Sequence, residues 1–177
     1  MAIVTTTSNT ESDPILSALE AGNNYRWNYP ASKGTPIAVT YSFPSSPPSA
    51  ITRSDARGYT GFTETQTSFV NQILKSISEW SNISFQLIDA SGPITADIRF
   101  AYNLQSGSSG YSYFPAGGNG GDVYISRSYS DLTQGTYGWV TLLHEIGHAI
   151  GLKHTGDYHP EDTGPFLPTA VENTAWT

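Results

Sequence analysis

Apolar residues recur at two periods along this chain, and the two periods mark out its elements. Phe62, Gln66, Phe69, Ile73, Ile77 and Trp80 fall three or four apart, the spacing of one face of an α-helix. Thr63 and Gln66 open that run as a T-x-x-Q pair, whose side chains can cap each other's backbone N–H groups. The pattern predicts a helix over residues 63–80. A second helix is predicted over 136–150, with Val140, Leu143, Gly147 and Ile150 as its buried stripe. A short one begins at Asp13 and Pro14, types suited to the N-cap and the first helical position. It carries Ile15, Leu16 and Leu19 and ends near Gly22. Alternation of apolar and polar positions predicts a strand over 37–43 (IAVTYSF); 83–88 (ISFQLI) and 96–102 (ADIRFAY) also read as strands, with shorter candidates at 111–114 and 122–126 around a Gly loop. The cluster PSSPP at 44–48 is a loop. Past Gly151 the chain is irregular. Helix, strand, long helix, several strands and helix make an α+β domain with a mixed sheet.

Composition narrows the classes. A chain of 177 residues fits one domain with a core of its own. Its net charge of −7 argues against nucleic acid or an anionic membrane as the main partner, since both ask for a basic surface. The absence of Cys excludes a disulfide framework, a thiol nucleophile and a Cys-ligated zinc. Residues 1–14 are polar, without the basic start and apolar run of a classical secretory signal. No stretch approaches the ~20 apolar residues that span a membrane. Residues 1–13 are expected to be a flexible N-terminal segment or short leader, and 14–177 the folded domain. The segment 117–125 (GGNGGDVYI) matches a glycine–aspartate calcium repeat once. Such repeats hold only when at least about three are stacked, so a turn between two strands is expected there, with no calcium.

The chemistry lies in one short stretch. All four His fall between residues 144 and 159, and the segment His144-Glu145-Ile146-Gly147-His148-Ala149-Ile150-Gly151-Leu152-Lys153-His154 has the spacing H-E-x-x-H-x-x-G-x-x-H of a zinc-protease motif. On a helix, His144 and His148 lie about 40° apart around the axis and about 6 Å along it. Two imidazoles so placed can converge on one ion at about 2.0–2.1 Å. Glu145 is about 100° round from His144, beside the metal rather than on it, where a carboxylate can act as general base toward water activated by the ion. His154 would lie about 15 Å further along a continued helix. The chain must turn back, and Gly151 permits it, because glycine takes the left-handed conformation without a Cβ penalty. Three neutral His leave a fourth zinc position open, as a catalytic site requires. A purely structural zinc site would more usually carry Cys.

With these residues the chain resembles the metzincin zinc endopeptidases, and among them the serralysin-like family, from about Ile15 onward. Residues 15–27 (ILSALEAGNNYRW) resemble the family's N-terminal helix and the Trp segment after it, and 37–43 its first strand. Residues 111–115 (YSYFP) and then Gly121-Asp122-Val123-Tyr124 are similar to its edge strand and the next strand, and Gly156-Asp157-Tyr158 continues its pattern after the third His. The resemblance implies a metzincin-like zincin domain: a twisted mixed sheet, a long backing helix and a zinc-binding active-site helix. It implies His144, His148 and His154 as ligands of one Zn2+, Glu145 as the catalytic base, and Tyr111, Ser112, Tyr113 and Phe114 as the upper rim of the cleft, pairing with an extended substrate. It also implies a secreted hydrolase acting as a monomer on protein or peptide substrates.

The chain departs from the family in several ways. Metzincins carry a methionine turn downstream of the third His, and the single Met here is Met1. The tyrosine after that turn, the calcium-repeat domain and the C-terminal export signal of serralysins are missing as well. Thr155 follows His154 where serralysins usually have Pro. The 14–177 domain is therefore expected to be incomplete at its C-terminus and part of a longer protein. The absence of Cys excludes latency by a propeptide thiol, as in matrixins. Three functions are open: a zinc endopeptidase, a zinc-binding protease-like domain with little or no activity because the methionine-turn segment is missing, and an aromatic-rich carbohydrate- or peptide-binding module. The motif favours the first. His159, in a loop with Pro160, Glu161 and Asp162, is expected at the surface.

Overall fold

A computed structural model describes residues 14–92, 95–158 and 163–168. The chain divides into two compact units, Ala21–Leu152, and Met1–Glu20 together with Lys153–Thr177.

The larger unit is built on a five-stranded sheet. Its strands are β1 (Ile37–Ser42), β2 (Ile83–Leu87), β3 (Ile98–Asn103), β4 (Gly110–Ser112) and β5 (Val123–Ser126), in the order β2-β1-β3-β5-β4. Neighbours run parallel except β4, which pairs antiparallel with β5 and forms one edge. β3 and β5 are buried along their whole lengths, as strands covered on both faces are. Three helices accompany the sheet: α2 (Arg53–Ala56), α3 (Glu64–Trp80) and α4 (Tyr137–Ala149). The fold is the mixed α+β class that the sequence pattern predicts.

The predicted capping box of α3 is present. Gln66 N–H donates to Thr63 Oγ1 at 3.4 Å, and Thr63 N–H to Gln66 Oε1 at 2.9 Å. The helix buries Val70, Ile73 and Leu74, with Phe69 and Ile77 partly buried. These residues join Val39, Ile98, Phe100, Val123, Ile125, Leu142 and Ile146 in one core. Trp80 departs from the expected stripe, with 90% of its surface exposed. Periodicity reports the face of a helix, not how far along it a neighbour extends, and Trp80 is the helix's last residue.

The predicted stripe on α4 is a correction of larger consequence. Val140 and Leu143 are 56% and 48% exposed. The buried residues are Gly138, Thr141, Leu142, Glu145, Ile146 and Ala149, an arc displaced around the helix from the expected one. Two of its members are polar, but Leu142, Ile146 and Ala149 also recur at helical spacing, so hydrophobicity alone does not choose between the two arcs. The helix α2 was not evident from hydrophobic periodicity because four residues are too few to show a period. Its signal is the T-x-x-D box, in which Asp55 N–H donates to Thr52 Oγ1 at 3.1 Å and Thr52 N–H to Asp55 Oδ2 at 3.3 Å.

The glycine loop at 117–121 is indeed a turn between β4 and β5. Its oxygens face a guanidinium: Arg99 Nη2 donates to Gly118 O at 3.3 Å and Asn119 Oδ1 at 3.0 Å. Arg99 also donates to the Asp122 carboxylate, from Nε at 2.8 Å and from Nη2 at 2.6 Å. Both partners are buried.

In the smaller unit, α1 (Pro14–Leu19) is followed by irregular chain at 153–158 and 163–168. Lys153 N–H donates to Leu19 O at 2.7 Å, and Leu167 N–H to Thr155 O at 2.8 Å. Thr155 is fully buried. The expected flexible segment 1–13, the Asp13 cap and His159 lie outside the described residues.

Removing one member of a buried ion pair leaves the other charge unsatisfied, at a cost of about 3–5 kcal/mol. Asp122→Ala is expected to destabilise the domain by about that amount, read as a lower urea midpoint against the parent chain.

Candidate metal centre

The last turn of α4 is organised by its C-terminus. Gly151 has φ +104°. Its N–H donates to His148 O at 2.9 Å, and Leu152 N–H donates to Gly147 O at 3.0 Å, the two bonds of a Schellman motif. A Cβ at residue 151 would collide with Tyr25 O, so glycine is required both by its φ and by the chain packed over it. That chain satisfies two further carbonyls. Trp27 Nε1 donates to Ala149 O at 2.9 Å, and Ala21 N–H to Gly151 O at 2.9 Å.

His144 and His148 lie one turn apart with their Nε2 atoms 3.0 Å from each other. Two nitrogens bound tetrahedrally to one zinc are separated by about 3.3 Å. Nδ1 of His148 is 2.7 Å from Leu152 O. With Nδ1–H donating to that carbonyl, Nε2 is the unprotonated nitrogen, the tautomer a metal ligand needs. The Schellman turn itself brings Leu152 O to this position, a contact with no signature in the motif spacing. The ring of Phe114 meets His148 edge-on with centroids 5.7 Å apart, and Tyr25 packs on Phe114 at 5.2 Å. His154 lies three residues past Gly151, its ring 6.0 Å from that of Tyr158. Paired imidazole nitrogens such as those of His144 and His148, with no thiolate beside them, fit a zinc ion.

Glu145 sits on the buried arc of α4, 6% exposed, where β4 crosses close to the helix. A Cβ at Gly110 would stand 2.7 Å from Thr141 Cγ2 and 2.9 Å from Glu145 Cγ. The glycine therefore allows this approach. Ser112 Oγ is 2.9 Å from Glu145 O and 3.2 Å from Oε2. Burial pushes the Glu145 carboxyl up to about 7, and the Ser112 hydrogen bond opposes that rise.

The four residues expected at the rim divide between two faces of the strand, as its period of two requires. Ser112 meets Glu145, and Phe114 meets His148. The hydroxyls of Tyr111 and Tyr113 turn the other way, to the buried Asp55 of α2. Tyr111 Oη donates to Oδ1 at 2.7 Å, and Tyr113 Oη lies 3.1 and 3.2 Å from the two oxygens. Burial and Asp55 push Tyr113 up to about 12 and raise Tyr111 too, so both stay protonated and donate. Asn103 Nδ2 donates to Tyr111 Oη at 2.7 Å. Sequence reasoning did not single out Asp55, Asn103 or Gly110, and it gave Trp27 and Leu152 no contact with α4 or His148. Of these only Asp55 carried a local signal, its capping box.

The family match and the relatives in sequence point the same way. The sequence pattern of the dual-action HEIGH metallo-peptidase family matches residues 47–164. Residues 144–148 of the chain read HEIGH. Serralysin A of Dickeya chrysanthemi is 28% identical over 91% of this chain and 36% of its own length. A serralysin of Photorhabdus sp. (strain Az29) is 30% identical over 78% of this chain and 30% of its own. The chain thus spans about a third of the length of these curated relatives. The solved structure of myroilysin aligns with a TM-score of 0.48 and 23% identity, covering 74% of this chain and 52% of that one.

Two outcomes are expected from this geometry. The chain should take up one zinc per molecule, and a chelator should lower its melting temperature, because a ligand held only by the folded state stabilises that state. Gly151→Ala, which meets Tyr25 O and a disfavoured φ, should cost more than about 1 kcal/mol and weaken zinc uptake. Thermal unfolding and metal analysis of the two proteins check both.

Proposed function

The chain belongs to the dual-action HEIGH metallo-peptidase family, and on that premise we propose that it is a zinc-dependent endopeptidase domain that hydrolyses peptide bonds in proteins, with Glu145 as general base. The observation that carries this reading is the placement of Glu145. It is a buried carboxylate on α4 between His144 and His148, hydrogen-bonded by Ser112 and covered by β4.

His144, His148 and His154 would hold the ion. Bound there, zinc supplies Lewis acidity toward water and the scissile carbonyl. Glu145 takes the proton from the attacking water and delivers it to the leaving amine. Oε2 is engaged by Ser112, and Oε1 accepts no hydrogen bond among the described residues, so Oε1 is the oxygen that receives the proton. Leu152 O keeps His148 in its ligating tautomer throughout the cycle.

The substrate binds as an extended strand along the free edge of β4. An edge strand offers unpaired backbone groups for such addition, and β4 pairs with β5 alone among the described strands. In this reading Tyr111, Ser112, Tyr113 and Phe114 form the rim through their backbone. The side chain of Phe114 packs on His148, and Tyr111 and Tyr113 hold the strand from behind. Protein or peptide is the substrate and the domain acts as a monomer. No described helix is long and apolar enough to cross a membrane. Secretion, implied by the serralysin resemblance, is part of the proposal.

Glu145→Gln is expected to keep one zinc per chain and to lose hydrolysis by a factor of about 10² to 10⁴, the usual contribution of a general base. The readout is chelator-sensitive cleavage of casein alongside metal content. A glutamine variant that cleaves at the parent rate would remove Glu145 from the mechanism. A zinc-loaded parent chain without any cleavage would instead favour a zinc-binding domain of little activity.

A further inference from the structure

The Glu145 carboxylate has a single hydrogen-bond donor among the described residues, the hydroxyl of Ser112. A glutamate has three rotatable bonds, and a buried carboxylate without a donor is costly to keep. The same hydroxyl also lies 2.9 Å from Glu145 O. That carbonyl is inside a helix and accepts from the N–H four residues on, so it has a partner when the serine proton turns to Oε2.

Ser112 is itself on a weak element. β4 has three residues and lies at the sheet edge. It is held from its far face by Asp55, which receives hydrogen bonds from Tyr111 and Tyr113, the residues on either side of Ser112 in sequence. Asp55 is 1% exposed and fixed by its own capping box with Thr52. The strand is thus clamped between a carboxylate behind it and a carboxylate in front. Gly110 allows the close approach on the front side.

We propose that Ser112 is a positioning residue for Glu145, aligning its carboxylate by a direct hydrogen bond, and that Asp55 acts through Tyr111 and Tyr113 to keep Ser112 at the right depth. This rests on the metallopeptidase reading. It assigns the Ser112 side chain to the base rather than to the substrate, and it gives the hydroxyls of the tyrosine pair a role without substrate contact.

The test uses the zinc-loaded chain with Ser112→Ala, Ser112→Thr and Tyr113→Phe. Zinc content, kcat and KM are measured separately, and crystal structures of the parent and the two serine variants are compared. Loss of a hydrogen bond to a charged group corresponds to about tenfold or more. Ser112→Ala should lower kcat about tenfold with KM and zinc content unchanged, and Ser112→Thr, which keeps the hydroxyl, should restore most of it. Tyr113→Phe leaves Tyr111 on Asp55 and should lower kcat by a smaller factor, again with KM unchanged. In the structures the Glu145 carboxylate should leave its position in Ser112→Ala and regain it in Ser112→Thr. A carboxylate that stays in place in Ser112→Ala, or a kcat equal to that of an active parent, overturns the proposal. If the parent itself cleaves nothing, the functional reading has failed, and the carboxylate position in the crystals still decides the positioning role. If Ser112→Ala does not fold, Tyr113→Phe decides: an unchanged kcat overturns the proposal, and a lower kcat at constant KM supports it.

Discussion

The approach of β4 to α4 at Gly110 sets where the Glu145 carboxylate can be. At that crossing a side chain as small as alanine would press on Thr141 and on the glutamate stem. Bringing a carboxylate into such a place costs several kcal/mol unless a donor meets it, and Ser112, two residues along the same face of the strand, is the donor. Strand alternation then sends Tyr111 and Tyr113 to the opposite face, where Asp55 is already fixed by its cap. One local contact therefore links the edge of the sheet, the inward face of α4 and a helix that precedes β4 by more than fifty residues in the chain.

The end of α4 obeys a second constraint. The helix must stop after His148, and every carbonyl freed by the stop needs a partner. The Schellman bonds to Gly147 and His148 meet part of this need, Trp27 Nε1 meets Ala149, and the Ala21 N–H meets Gly151 O beyond the helix. The Leu152 carbonyl, released by the turn, orients the His148 ring. Termination of the helix and selection of the histidine tautomer are thus one geometric event. Gly151 serves both, through its positive φ and through the absence of a Cβ beneath Tyr25.

The glycine-rich turn before β5 shows how similar local sequence can be put to another use. Its carbonyl, amide and carboxylate oxygens at Gly118, Asn119 and Asp122 would suit a hard cation, yet they surround the guanidinium of Arg99 from β3. The positive charge comes from within the chain, and it joins the turn to the middle of the sheet. The rigidity of β5, and through it the register of β4, draws on this pair.

Much was legible in the chain alone. Local rules act over a few residues, so the caps of α3, the α4 start at Thr136, the turn at Gly151 and the H-E-x-x-H-x-x-G-x-x-H spacing could be read without knowing any neighbour. The β1 strand followed from its alternation for the same reason. The buried side of α4 could not be read in this way. Its inward arc carries Leu142, Ile146 and Ala149 together with Thr141 and Glu145 while Val140 and Leu143 face outward, and with apolar residues on both arcs the periodicity of hydrophobicity does not choose between them. Nor could the sequence pair Asp55 with Tyr111 and Tyr113, or Trp27 with Ala149, because these partners are brought together by strand order and not by spacing. The sequence by itself determined the candidate ligands and the candidate base, since metal chemistry restricts residue type and helix geometry restricts interval. Only the tertiary structure decided what surrounds Glu145, because burial and hydrogen-bond partners belong to contacts between elements distant in the chain.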